Sequence, residues 1–82
     1  MKLPEHISEN HSIDEDKDRV TVGDYLYHVP SDKIQYITDS GPISFELVEK
    51  DTKKHWKVSG QDMRENLFDD FYPLKLTGYY PD

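Results

Sequence analysis

The sequence predicts a small, mainly β domain, and three observations lead there. First, in Ile43-Ser44-Phe45-Glu46-Leu47 the apolar residues fall at every second position, and His55-Trp56-Lys57-Val58-Ser59 resumes that alternation after the polar stretch Asp51-Thr52-Lys53-Lys54. Two residues per side-chain repeat is the period of a strand with one face in a core, so the pair reads as a β-hairpin. No Asn-Gly or Asp-Gly sets its turn, which leaves the register open. Second, Val20 to Val29 is β-branched and aromatic, the composition that suits a pleated, half-buried surface. Third, Gly23, Gly41, Gly60 and Gly78 are spread along the chain as turn punctuation would be in a meander.

Taken in order, residues 1–19 hold six acids, three bases and only Leu3, Ile7 and Ile13 as sizeable apolar residues, too few to offset the entropy of ordering. A flexible acidic arm is expected there. A competing short helix carrying Leu3 and Ile7 is cut off by Pro4 and by Asn10-His11-Ser12. The folded domain is expected over residues 20–77. Gly23-Asp24 redirects the chain inside its first strand, and Pro30-Ser31-Asp32 ends that strand. Lys33 to Thr38 forms the next one, with Ile34 and Tyr36 on one face and Gln35 and Ile37 on the other. Asp39-Ser40-Gly41-Pro42 is a turn, because proline cannot donate to a ladder.

The hairpin follows, with Trp56 as the expected central core residue and Phe45, Leu47, Val58 and Leu67 around it. After Val58 the period changes: Ser59 or Asp62 can cap a helix, and Met63, Leu67 and Phe71 recur every four residues with Phe68 beside them. Pro73 is expected to stop that helix, Leu74-Lys75-Leu76-Thr77 to form a short closing strand, and residues 78–82 a C-terminal tail. Consecutive strands usually pair, and a barrel of about five strands removes the exposed edges of a small sheet.

Composition narrows the function classes. A chain of 82 residues allows one domain that buries about 60% of its unfolded surface. Hydrophobic residues make up 34%, so six Tyr, three Phe and one Trp must supply much of the burial. The absence of cysteine excludes disulfides and thiolate metal sites and makes a cytoplasmic setting the expectation. No apolar run approaches the roughly 20 residues of a membrane span, and Met1 to His6 lacks the apolar stretch of a signal peptide. The formal charge of -7 repels nucleic-acid phosphate, so direct nucleic-acid binding is not expected.

The stretch Val20-Thr21-Val22-Gly23-Asp24-Tyr25-Leu26-Tyr27 resembles the opening strand of SH3-like barrels of the KOW and Tudor type, which include many small phage-encoded proteins. In those barrels a strand with a Gly-Asp pair precedes a hairpin meander, a short helical turn and a closing strand. Residues 43–58 and 62–76 look similar in order and spacing, so the likeness covers roughly residues 20–76. It implies a binding fold. KOW-type nucleic-acid binders carry basic loops, whereas residues 20–60 hold six acids against five bases; a nucleic-acid-associated role is thus the remoter implication.

No enzyme, cofactor or metal site is expected. No serine lies in a Gly-x-Ser-x-Gly turn and no glycine-rich phosphate loop exists. His6 and His11, five apart in the arm, lack the convergent geometry of a zinc site, and His28 and His55 read as strand histidines bonded to backbone. Two candidate binding surfaces remain. Asp14, Glu15 and Asp16 on the arm, with Asp62, Glu65, Asp69 and Asp70 on the helix, form an acidic surface. Such a surface predicts a protein partner with a basic, nucleic-acid-binding cleft, which this chain would block as a phage-type DNA mimic. Alternatively Tyr25, Tyr27, Tyr36 and Tyr72 line an aromatic groove for a Pro-rich peptide or a methylated lysine, as the SH3-like resemblance implies.

Overall fold

Alternating apolar and polar stretches set the strands, and these assemble into one antiparallel sheet. The computed structural model describes residues 2–77. Within them lie α1 (Glu5–Ser8), β1 (His11–Ile13), β2 (Tyr25–His28), β3 (Lys33–Ser40), β4 (Ser44–Glu49), β5 (His55–Ser59), α2 (Gly60–Asn66) and β6 (Phe71–Leu76). The sheet order is β1-β6-β2-β3-β4-β5, and the end strands β1 and β5 are not paired with each other. The mainly β expectation therefore holds, with six strands among the described residues where about five were expected, and two short helices where one was expected. The expected tail, residues 78–82, lies outside the described residues. No helix among the described residues is long and apolar enough to cross a membrane.

Alternation decides the faces. The hairpin register pairs Phe45 with Val58 and Leu47 with Trp56, while β2 and β3 pair Tyr25 with Tyr36 and Tyr27 with Ile34. One face buries Leu26, Ile37, Leu47, Val58 and Phe71, closed over by Val20 and by Met63 of α2. The opposite face buries Tyr27 and Leu74 beneath Leu3 and Ile7, with Tyr25, Ile34 and Tyr72 packed beside them. The expectation of Trp56 as the central core residue is corrected here. Leu26, Ile37 and Leu47 are 0% exposed and occupy that position, whereas Trp56 is only half-buried and packs against the cluster from the side. It sits on the sheet's edge strand β5, and its indole N–H donates to Gln35 Oε1 at 2.8 Å. Phe45 and Leu67 are likewise half-buried, while Leu47 and Val58 are buried as expected.

The first domain strand is shorter than its composition suggests. Only Tyr25–His28 is strand, because Gly23, with φ +96, turns the chain in a region that favours glycine. Gly23 N–H still donates to Ile37 C=O at 2.9 Å, and Ile37 N–H to Asp24 C=O at 3.0 Å, so the bend stays tied to β3.

The helix and closing strand also differ from expectation. Ser59 caps α2, its Oγ accepting from Asp62 N–H at 3.0 Å, but the helix stops at Asn66. Asn66 C=O accepts from both Asp69 and Asp70 N–H at 3.0 Å, and Phe68 takes a positive φ of 66. Phe71 consequently opens β6, and Pro73 lies inside that strand instead of ending a helix. A proline removes one ladder donor. Residues Phe71 to Pro73 pair with β2, and Leu74 to Leu76 pair with β1. Pro73 stands where β6 changes partners, its C=O accepting Asp14 N–H at 2.8 Å just past the end of β1. The missing donor therefore faces a strand that has already ended.

The flexible-arm expectation is corrected for its first part. Pro4 does not break the helix but precedes it, its C=O accepting Ile7 N–H at 3.0 Å and Ser8 N–H at 2.9 Å. Ile7 is 3% exposed and Leu3 9%, and β1 pairs His11 with Leu76 and Ile13 with Leu74. His11 is buried with its ring Nδ1 3.3 Å from Ile7 C=O. Counting apolar residues in residues 1–19 treats the segment as if it had to build its own core. It has instead an apolar face of the sheet to cover, so three apolar residues suffice.

Truncating a buried isoleucine removes transfer free energy and leaves a cavity, so Ile7→Ala is expected to cost about 2 kcal/mol, the low end for such changes. Deleting residues 1–13 should cost more, since it also strips β1 from β6. Urea denaturation followed by circular dichroism reads both, and coincident curves for the three proteins would show the segment to be passive.

Candidate functional site

The acidic residues are displayed on two segments, the run at 14–18 and α2 with the turn that follows it. Asp62 and Glu65 are exposed on α2, and Asp62 lies in the first turn, where a negative charge suits the helix dipole. Asp69 and Asp70 are exposed but belong to the turn after α2, which corrects the expectation of a single helical row of Asp62, Glu65 and Asp69. Glu15 and Asp16 are exposed and Asp14 is half-buried. Asp18 and Arg19 line one depression together with Val20, Phe45, Met63, Arg64 and Leu67. Asp18, the last acid of the run 14–18, thus shares a depression with Met63 and Arg64 of α2, whereas Glu15 lines a separate one with Lys2, Leu3 and His11.

These acids are left without cationic partners. Ion pairs join Lys17 to Asp24 at 3.2 Å and Lys33 to Asp51 at 3.4 Å, and the rings of His6 and His55 stand 3.5 Å from Asp32 and 3.6 Å from Glu46. Among the described residues, none of Asp14, Glu15, Asp16, Asp62, Glu65, Asp69 and Asp70 takes part in one. Glu65 accepts a hydrogen bond from Gln61 Nε2 at 3.1 Å, which leaves its charge in place.

The four tyrosines nominated for a groove do share one face of the sheet, but as a packed layer. Tyr25 and Tyr36 lie cross-strand with centroids 5.0 Å apart. Tyr27 is buried beside Leu3 and Ile7, and its hydroxyl donates to Asp32 Oδ1 at 2.6 Å. Burial first, then the Asp32 carboxylate, push the Tyr27 hydroxyl up to about 12. Tyr72 meets Phe68 edge-on at 6.1 Å, and the Lys50 ammonium stands 5.8 Å from the Tyr25 centroid. The N-terminal segment covers part of this layer, and none of the four rings lines the depression at Arg19 and Arg64.

An aromatic cluster on the other face has no sequence signature. The His28 ring stacks on Phe71 with centroids 4.7 Å apart, and Trp56 lies 5.0 Å from His28 and 5.9 Å from Phe71. These residues come from β2, β6 and β5, so only the folded sheet assembles them. His28 Nδ1 is 2.8 Å from Ser31 Oγ. Burial pulls the His28 pKa below its ordinary value, opposed by the nearby Asp70 and Glu49 carboxylates. Burial likewise lowers His11, opposed by its contact with Ile7 C=O. Among the described residues, no group of three or more His, Asp or Glu is placed to hold a metal ion. His6 sits exposed beside Asp32, apart in role from the buried His11.

No family model, no curated protein and no solved structure matches the chain.

The lowered histidine values carry a pH prediction. A histidine whose folded pKa lies below its unfolded value of about 6.5 binds protons more readily in the unfolded chain, so its stabilising effect is complete above that value. It declines as pH falls from there towards the folded pKa. Stability of the protein should therefore drop between pH 7 and pH 5.5, and His28→Gln should flatten that slope. Equal slopes for the two proteins in urea titrations at both pH values would assign the pH dependence elsewhere.

Proposed function

We propose that the chain is a non-enzymatic binding module that holds another protein through its acidic face. The observation that carries this reading is the set of carboxylates at 14–16, 62, 65, 69 and 70, none of which forms an ion pair among the described residues, whereas Asp24 and Asp51 are paired with Lys17 and Lys33. Like charges left unneutralised favour a complementary surface, speed encounter with it and suppress wrong partners. The sharper form of the proposal is an inhibitor of the kind small phages encode. Its carboxylates stand in for DNA phosphates and occupy the basic cleft of a nuclease, polymerase or repair enzyme. The cysteine-free sequence supports a cytoplasmic setting.

An SH3-like barrel belongs to the same proposal. The meander β2 to β5, then α2, then the return of β6 to β2 is the order that the resemblance implies, and it supports that reading. The aromatic-groove alternative is less favoured, because Tyr27 is buried and its neighbours pack under the N-terminal segment.

The test is capture from a bacterial lysate on immobilised protein, followed by challenge with duplex DNA and with raised salt. DNA-binding proteins should be retained and then displaced by both. The variant Asp62→Asn/Glu65→Gln/Asp69→Asn/Asp70→Asn should weaken the purified complex about tenfold at low salt, the sum of four exposed pairs at roughly 0.2–1 kcal/mol each. Retention that neither DNA nor the variant reduces would sink the proposal.

A further inference from the structure

The chain contains two arginines, Arg19 and Arg64, and both line the same depression of about 320 Å³. Its other lining residues are Asp18 and the apolar Val20, Phe45, Met63 and Leu67. Val20 and Met63 are buried members of the main core and Phe45 and Leu67 pack on it, so the floor is held rigidly. Both arginines are exposed at the rim. Among the described residues neither side chain forms an ion pair or a hydrogen bond, although the chain has 17 acidic residues and Asp18, Asp62 and Glu65 are close neighbours in sequence. Lys17 and Lys33, by contrast, do find carboxylates.

We infer that this depression is a binding site for a small amphiphilic carboxylate, whose apolar body rests on Phe45, Met63 and Leu67 and whose headgroup meets Arg19 and Arg64. Three considerations select that class. The guanidinium is a planar fork that matches a carboxylate through two parallel N–H···O bonds. The apolar floor rewards an aliphatic or aromatic body, and the volume stands near the lower end of ligand pockets, at roughly 300–1,000 Å³, which suits one short chain or one ring. Asp18 on the same rim offsets part of the positive charge, which favours a single negative charge over a phosphate dianion. The inference does not rest on the acidic-face reading, since Asp62, Asp69 and Asp70 are not part of this lining.

Octanoate, octanol and octyltrimethylammonium are suitable probes, titrated into ¹⁵N-labelled full-length protein with amide shifts read by NMR. Octanoate should move the amides of residues 18–20, 45 and 63–67. It should bind on the order of tenfold more tightly than octanol, as two exposed ion pairs allow, while the cation should bind most weakly. Arg19→Gln/Arg64→Gln should bring octanoate down to the octanol level and leave octanol itself unchanged, which also shows that the floor has kept its shape. The inference is overturned if octanoate and octanol bind wild type equally, if neither binds, or if the shifts centre on Trp56 and His28. An Arg19→Gln/Arg64→Gln variant that keeps the full preference for octanoate would overturn it as well.

Discussion

Strands β2, β3 and β6 carry large apolar side chains on both faces, and the rest of the molecule is arranged around covering them. In β2, Leu26 faces one way and Tyr25 and Tyr27 the other; in β3, Ile37 opposes Ile34 and Tyr36. A half-polar sheet needs a cover on one side only, whereas this one needs two. Val20 and α2, through Met63, close the first face. The N-terminal Leu3 and Ile7 close the second. Neither helix is long enough to be stable alone, so each exists because the sheet supplies the surface it buries.

That arrangement also distributes charge. Covering the first face brings Asp18, Arg19 and Val20 to the same depression as Met63, Arg64 and Leu67. Two lysines are consumed by pairs, Lys17 with Asp24 and Lys33 with Asp51. The carboxylates at 62, 65, 69 and 70 are not. Arg19 and Arg64 flank an apolar floor, so the protein presents both an acidic field and a local cationic notch. The first acts over about a Debye length and suits encounter; the second acts only at contact and suits a small ligand.

The sequence by itself determined the mainly β character, the faces of the central strands and the helix start. Alternation in residues 43–47 and 55–59 is a local property of the chain, and so is the split of Ile34 and Tyr36 from Gln35 and Ile37, because the pleat puts successive side chains on opposite sides. Ser59 as a cap was legible for the same reason: its hydroxyl reaches a backbone N–H only three residues away. The acidic residues were also legible as a composition. What the tertiary structure decided is everything that depends on a distant partner. Phe71 and Pro73 left the helical pattern for β6 because β2 and then β1 offered pairing and Phe71 could stack on His28. Leu3, Ile7 and His11 became ordered because an apolar face awaited them. Trp56 moved to the flank of the core because Leu47, its cross-strand partner, already occupied the centre. Arg19 and Arg64 carry no mutual signal in the sequence, since their meeting at one depression depends on the packing of residues 18–20 and α2 over the sheet, which no local period encodes.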